Sequence, residues 1–149
     1  MLSKVSKDIF NTIIKLSEEN IENNQIPIAA IIHDYVNNKI ISQAVNIDTP
    51  IGHAELLAIE EALRIKKSKR LDDCDIYVTI EPCFMCAIAI SRCHFRRLYF
   101  GAEDKKAGGI INGPRILDQP NMKQFEIISH IEEEYTCLLY TSPSPRDLS

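Results

Sequence analysis

The residues that could carry out chemistry lie in two short stretches of the sequence. Gly52-His53-Ala54-Glu55 supplies an imidazole and a carboxylate, and Pro82-Cys83-Phe84-Met85-Cys86 supplies two thiols. One histidine and two cysteines leave a tetrahedral zinc ion with one open position, which a catalytic zinc site needs. Glu55 stands two residues after His53, where it is better placed to move protons for a water on the metal than to be a fourth ligand. The sequence therefore predicts a catalytic zinc site with His53, Cys83 and Cys86 as ligands and Glu55 as the acid/base.

A Cys-x-x-Cys pair also has two other uses in proteins. A redox dithiol is disfavoured by the Glu81-Pro82 flank, which differs from the flank of thioredoxin-type motifs. A structural zinc site requires a fourth ligand, for which Cys74 and Cys93 are the candidates, although neither is paired at ligand spacing. Both alternatives stay open on sequence grounds.

The elements that must position these residues follow from hydrophobic periodicity. His53 and Cys83 each open a predicted helix, so two helix N-termini are expected to converge on the metal beside the ends of the strands. Strands alternate with helices after an initial hairpin, which indicates an α/β fold with no domain boundary before Tyr140. The predicted helices cover 4–23, 53–67, 83–91 and a last one from 132, and the predicted strands cover 28–32, 39–45, 76–80, 97–100 and 125–128.

Composition narrows the class of protein. The 149 residues suit one domain, and the formal net charge of −4 gives no global case for a nucleic-acid partner. Three basic islands could nevertheless contact phosphates or could be solvated surface: 66–70, 92–97 and 105–106. No apolar run approaches the roughly 18 residues of a membrane span, and the N-terminus does not resemble a signal peptide. Five cysteines, an odd number, argue against a disulfide framework. Together with the lack of a membrane span and of a signal peptide, this predicts a cytoplasmic protein without a membrane partner.

The C-terminal residues 141–149 have a different character. They include Ser142-Pro143-Ser144-Pro145, which cannot continue a helix and offers little to bury. We expect a disordered or non-native tail after a domain that spans residues 1–140, with the last helix truncated.

His-Ala-Glu followed by Pro-Cys-x-x-Cys resembles the signature of the zinc-dependent cytidine and nucleobase deaminase superfamily. Within it, the chain looks most like the bacterial tRNA-specific adenosine deaminases of the TadA type. The resemblance implies a three-layer α/β/α cytidine-deaminase-like fold with a central mixed five-stranded sheet. It rests on 26–30, Asn46, 53–59, 71–87 and 101–108.

The same resemblance implies a role for each residue that matches the family pattern. His53, Cys83 and Cys86 would bind one Zn²⁺ per subunit, and Glu55 would be the general acid/base. Water would attack C6 of adenine, and ammonia would leave to give inosine at the wobble position of a tRNA anticodon stem-loop. Asn46 and the backbone N–H of Ala54 would hydrogen-bond the base, and Asp104 would contact the ribose-phosphate backbone. The family also implies a homodimer.

Three departures from the family pattern bear on the substrate. The loop from Asn46 to His53 is shorter, Ala29 replaces a glycine and is expected to narrow the base pocket, and the C-terminal helix is truncated. We expect the chemistry to survive these changes better than the affinity for tRNA. Deamination of a free nucleobase, nucleoside or nucleotide, of guanine or cytosine type, is therefore an alternative function. A non-catalytic, zinc-stabilised RNA-binding module is a third.

Overall fold

A computed structural model describes residues 2–141 of the chain. The α/β class predicted from the sequence is confirmed, and each predicted helix and strand is present with shifts of one or two residues at its ends. The helices are α1 (Lys4–Glu22), α2 (Ala54–Lys66), α3 (Phe84–Arg92) and α4 (Glu133–Thr141). The strands are β1 (Ala29–Asp34), β2 (Lys39–Val45), β3 (Cys74–Ile80), β4 (Arg97–Ala102) and β5 (Glu126–Ile128), with a short 3-10 helix at Ile116–Asp118.

The five strands form one mixed sheet in the order β2-β1-β3-β4-β5. β1 runs antiparallel to both of its neighbours, whereas β3, β4 and β5 are parallel to one another. β1 and β3 are buried along their whole length, as expected of strands that are covered on both faces. The mixed five-stranded sheet implied by the family resemblance is thus confirmed.

Helices cover the two faces of this sheet and create two apolar cores. One core lies under α1 and includes Phe10, Ile13 and Tyr77. The larger core lies under α2 and α3 and includes Ala58, Ile90 and other side chains of the opposite sheet face. α4 contacts β3 and β4. The arrangement is the three-layer α/β/α architecture.

The topology brings three loops to one edge of the sheet. β2, β3 and β4 point in the same direction, so their carboxyl ends lie together and lead into Asn46, Glu81 and Glu103. α2 and α3 both begin at this edge and run back along the sheet. The edge is therefore where the predicted site residues meet, as in other open α/β sheets.

The last helix, α4, ends where the described part of the chain ends. Thr141 is its final residue, and residues 142–149 of the predicted tail lie outside the described residues. Among residues 2–141, no helix has both the length and the apolar composition that a membrane span requires.

Candidate active site

His53, Cys83 and Cys86 come together in the structure as the sequence predicts. The Nδ1 atom of His53 lies 3.5 Å from each cysteine Sγ. A tetrahedral zinc ion with bonds of about 2.3 Å to sulfur and about 2.0–2.1 Å to nitrogen would separate such atoms by about 3.5 Å. The donor set and its spacing therefore fit zinc. Cys74 and Cys93 do not belong to the cluster, since Cys74 begins β3 and Cys93 follows α3, at the opposite edge of the sheet.

The positions of two of the three candidate ligands are fixed by helix starts. His53 is the N-cap of α2 and Cys83 is the N-cap of α3, so each helix begins one residue later than the sequence predicts. A hydrogen bond from Cys86 lowers the pKa of the Cys83 thiol to about 5, and the neighbouring His53 contributes to this shift. The Cys86 thiol has a raised pKa because it donates that hydrogen bond and is buried. One thiolate is thus available at neutral pH before any metal binds.

Glu55 lies in the first turn of α2 and is 4% exposed. Burial raises the pKa of its carboxyl to about 7, and the neighbouring Cys83 adds to this effect. A carboxyl group with a pKa near the working pH can both accept and donate a proton, which suits a general acid/base.

The raised pKa of Glu55 predicts how the stability of the metal-free protein depends on pH. Between the ordinary pKa of 4.5 and about 7 the folded state binds the proton that the unfolded state has lost, so stability falls as pH rises. Relative to wild type, the unfolding free energy of the metal-free Glu55→Gln protein should therefore increase by about 2–3 kcal/mol as the pH rises from 5 to 8. Denaturant unfolding at several pH values in the presence of a chelator and a reductant measures this difference. Glu60→Gln, on the exposed side of α2, is the control. The prediction would be contradicted if the difference in unfolding free energy from wild type did not change with pH for either variant.

Asn46 is buried beside the cluster, and its side chain has a defined orientation. Its Oδ1 accepts a hydrogen bond of 2.8 Å from the backbone N–H of Ala54. Because a backbone N–H can only donate, the oxygen must face Ala54, and the Nδ2 amine is left for another acceptor. Asn20 Nδ2 fixes the backbone by donating to the carbonyl oxygen of Asn46 at 3.0 Å. The contact of Asn46 with a base stays a prediction, and the Ala54 N–H would have to exchange partners to reach one.

The loop between β2 and α2 is short and compact. Ile47 N–H donates to the Gly52 carbonyl at 2.9 Å, and Gly52 N–H donates to the Thr49 carbonyl at 3.1 Å. A Cβ atom on Gly52 would overlap the Ile47 and Thr49 side chains, so glycine is needed for the loop to close in front of His53. The sequence predicts that Ala29 narrows the base pocket, but Ala29 does not face the side of the sheet on which α2 and α3 lie. Its methyl group packs in the core under α1, because alternate residues of β1 face opposite sides of the sheet.

Asp104 lies in the loop after β4, at the same edge as the ligands. Its Oδ1 accepts from the backbone N–H groups of Lys106 and Ala107 at 3.1 and 3.0 Å, so the side chain caps its own turn. Lys105 and Lys106 are exposed on this turn and form no salt bridge within residues 2–141. A phosphate contact for this segment stays a prediction.

The other two basic islands lie at the opposite edge of the sheet, where α2 and α3 end. Lys66 binds Asp34 and Asp73, Arg70 binds Asp72, and Arg96 and Arg97 bind Asp75 and Glu126. Much of their charge is therefore neutralised within the protein. The three islands do not converge on one face, and only Lys105–Lys106 is near the cluster.

Sequence reasoning missed Glu81 as a functional candidate. Its carboxylate is 2% exposed and accepts hydrogen bonds from the backbone N–H groups of Asp104 and Ile110, each at 3.0 Å. The available signals were its position immediately before Pro82-Cys83 and the Gly108-Gly109 pair in the polar loop.

Comparison with known proteins places the fold and site in a family. The profile of the cytidine and deoxycytidylate deaminase zinc-binding region matches residues 3–102. A tRNA-specific adenosine deaminase of Rickettsia bellii is 41% identical over 131 residues, which cover 85% of this chain and 90% of the relative. The chain therefore belongs to the cytidine and deoxycytidylate deaminase family and, within it, to the tRNA-specific adenosine deaminases.

Solved structures agree with this assignment. A structure from a study of A-to-I editing by tRNA:A34 deaminases at the wobble position superposes with a TM-score of 0.81 at 30% identity. That match covers 89% of this chain and 99% of the other. A guanine deaminase from Nitrosomonas europaea superposes with a TM-score of 0.76 over 94% of this chain and 84% of its own. Its 17% identity shows a common fold alone.

Proposed function

We propose that this protein is a zinc-dependent deaminase that converts adenosine to inosine at the wobble position of a tRNA anticodon. The observation that carries the proposal is the cluster of His53, Cys83 and Cys86 with the buried carboxylate of Glu55 beside it. The relative from Rickettsia bellii and the structure of a tRNA:A34 deaminase support adenosine in tRNA as the substrate.

In this proposal each residue of the cluster has one task. His53, Cys83 and Cys86 hold one zinc ion per subunit through Nδ1 and the two sulfur atoms. Bound zinc supplies an acidified water, a nucleophile at neutral pH. Glu55 would take one proton from the attacking water and pass it to the ring nitrogen N1, and would then take the second proton from the hydroxyl now on C6 and pass it to the departing amino group. A C6–O bond forms as the C6–N bond breaks, and ammonia leaves.

The neighbouring residues would recognise the base and the RNA. Asn46 has its Nδ2 available as a donor because its Oδ1 is held by Ala54, so it is suited to an acceptor atom of the purine. The backbone N–H of Ala54 is the second base contact in the proposal; to make it, this N–H would leave Asn46 Oδ1 for the base, and the whole Asn46 amide would then be free to pair with the purine. Asp104 and the two lysines after it would contact the ribose-phosphate backbone next to the flipped nucleotide.

We further propose a homodimer of cytoplasmic subunits. Each subunit would be one deaminase domain formed by residues 1–140. Apolar side chains that are only half-buried or exposed follow the starts of α2 and α3, next to the ligands, and would be covered by the second copy. The side chains of this apolar face are Leu56, Leu57, Phe84, Met85 and Ile88.

Cys74 and Cys93 form no disulfide within the described part of the chain, which suits a reducing compartment.

Inosine formation in an anticodon stem-loop tests the function. Purified zinc-loaded protein should convert the wobble adenosine of a matching stem-loop and leave a stem-loop with guanosine there unchanged. Mass spectrometry of nuclease digests detects the product. Absence of inosine together with consumption of free guanine or cytosine would overturn the proposal.

One observation favours the alternative of a free-base deaminase. The basic islands at the far edge of the sheet are ion-paired, and the formal net charge is −4, so the cations left for RNA are few. Under this alternative, a free nucleobase is consumed at a rate that does not depend on salt.

The lysines near the cluster provide a prediction that separates the two functions. Lys105→Gln/Lys106→Gln should raise KM for the stem-loop several-fold and reduce the salt dependence of binding. The slope of log association constant against log salt should decrease by about 0.7 for each phosphate that is no longer neutralised. Lys67→Gln/Lys69→Gln, two exposed lysines at the opposite edge, serves as the matched control and should behave as wild type. Equal effects of both pairs would mean that general charge, and not this turn, attracts the RNA.

A further inference from the structure

Glu81 is a buried carboxylate whose partners are all N–H donors of one loop. Its Oε2 accepts from three consecutive backbone N–H groups, those of Ile110, Ile111 and Asn112, each at 3.0 Å. Its Oε1 accepts from Asp104 N–H at 3.0 Å and from Asn112 Nδ2 at 2.7 Å. No lysine, arginine or histidine within residues 2–141 forms an ion pair with it. The segment 104–112, called the anchor loop below, thus wraps around an anion that belongs to the protein itself.

The anchor loop also touches the turn that carries Cys83. Gly109 N–H donates to the Pro82 carbonyl at 2.9 Å, and Gly108 pairs with Cys83 as an isolated β-bridge. A Cβ atom on Gly108 would overlap the Glu81 carboxyl, and one on Gly109 would overlap the backbone of Phe84. The close approach therefore requires both glycines. It sets the distance between the exposed turn 104–106 and the ligand cluster.

We infer that Glu81 is a positioning residue for substrate binding. It holds the anchor loop so that the side chains of Asp104, Lys105 and Lys106 contact the RNA backbone at a fixed distance from the ligand cluster. The inference rests on the proposed function. Glu81 itself is assigned no contact with the reacting base or with the metal.

The ligand cluster has supports that do not depend on Glu81. His53 and Cys83 are held by the starts of α2 and α3, and the Glu81 backbone N–H is bound to the Ala102 carbonyl in the sheet at 3.0 Å. The amides of Ile111 and Asn112, in contrast, have no acceptor within residues 2–141 other than the carboxylate. When the carboxylate is removed, the anchor loop should move while the cluster stays in place. A change in KM with little change in kcat is the kinetic consequence, because binding geometry is lost and the reacting groups are not.

The substitution Glu81→Gln tests this inference with zinc-loaded, full-length protein and the anticodon stem-loop. The glutamine side chain has one acceptor oxygen where the carboxylate has two, and its NH2 group would face N–H donors. We expect KM to rise about tenfold or more, kcat to stay within about twofold, and the zinc-to-protein ratio to equal that of wild type. Glu60→Gln, an exposed glutamate on α2, is the matched control and should leave KM unchanged. An unchanged KM, or a lower kcat accompanied by loss of zinc, would overturn the inference.

Rescue by a second substitution distinguishes positioning from a general loss of structure. Asn112→Asp alone places two carboxylates against each other and should raise KM. In Glu81→Gln/Asn112→Asp the new amine can donate to the new carboxylate, so KM should return part of the way to the wild-type value. A double variant no better than the single variants would contradict the proposed pairing.

Amide hydrogen exchange gives a readout that does not need the reaction. In Glu81→Gln the amides of Ile110, Ile111 and Asn112 should exchange faster than in wild type, with no change at Ala54 and Glu55. If wild type formed no inosine, the proposed function would fail, and this exchange pattern would still decide whether Glu81 holds the loop. Unchanged exchange at the three amides would overturn the role of Glu81 independently of the function.

Discussion

The substitution Glu55→Ala should abolish deamination and leave zinc bound. Glu55 is the buried carboxyl beside the candidate ligands, and burial raises its pKa in the metal-free protein, which favours a group that both accepts and donates a proton. General acid/base groups contribute typically about 10²–10⁴ to the rate, and in the proposed mechanism Glu55 would serve in more than one transfer, so kcat should fall by about 10³ or more. Single-turnover assays of inosine formation measure this loss, and metal analysis gives the zinc-to-protein ratio.

The control for Glu55→Ala is Glu60→Ala, further along α2 and exposed to solvent. It should retain full activity. A Glu55→Ala protein that kept a tenth of the wild-type rate would show that another group carries the protons. One that lost its zinc would mean that Glu55 supports the metal and does not act only as acid/base.

The substitution Cys83→Ala should remove zinc and stability together. Metal ligands form a complete site only in the folded chain, so the free energy of metal binding adds to that of folding. At free zinc about 1,000 times the Kd, this contribution is about 4 kcal/mol, which corresponds to a decrease in Tm of about 10 °C. The variant should contain little zinc, and its Tm should no longer respond to a chelator.

Wild type and a second cysteine variant complete that experiment. A chelator should lower the Tm of wild type towards that of Cys83→Ala. Cys93→Ala, at the opposite end of α3, should keep its zinc and its response to the chelator because Cys93 lies outside the cluster. Equal losses in the two variants would indicate that general packing of cysteines around α3, and not metal binding, stabilises the protein.

The fold class and the ligand set could be predicted because they depend on local patterns. Apolar periodicity and β-branched runs, as in β3, are properties of neighbouring residues, and they place each helix and strand to within one or two residues. The sequence predicts His53 and Cys83 at helix starts, and each is the N-cap of its helix. The pairing of two short motifs into one site follows from the rule that strand ends at one edge meet.

Other features could not be predicted because they depend on pairing between distant residues. Lys66 and Arg96 belong to basic islands that could have contacted phosphates, yet they bind Asp34 and Asp75, which are 32 and 21 residues away in sequence. The side of the sheet on which Ala29 lies depends on strand register, and a shift of one residue reverses it. Neither property leaves a signal in one short stretch.

His53-Ala54-Glu55 and Cys83-x-x-Cys86 by themselves predict the chemistry, because one histidine and two cysteines at these spacings favour zinc with an open position. Only the tertiary structure decided what surrounds that chemistry. It oriented Asn46 through Ala54 N–H, buried Glu55, and closed residues 104–112 around the Glu81 carboxylate. The physical reason is that burial and hydrogen bonding of a side chain are set by the chain segments packed against it, and these are remote in sequence.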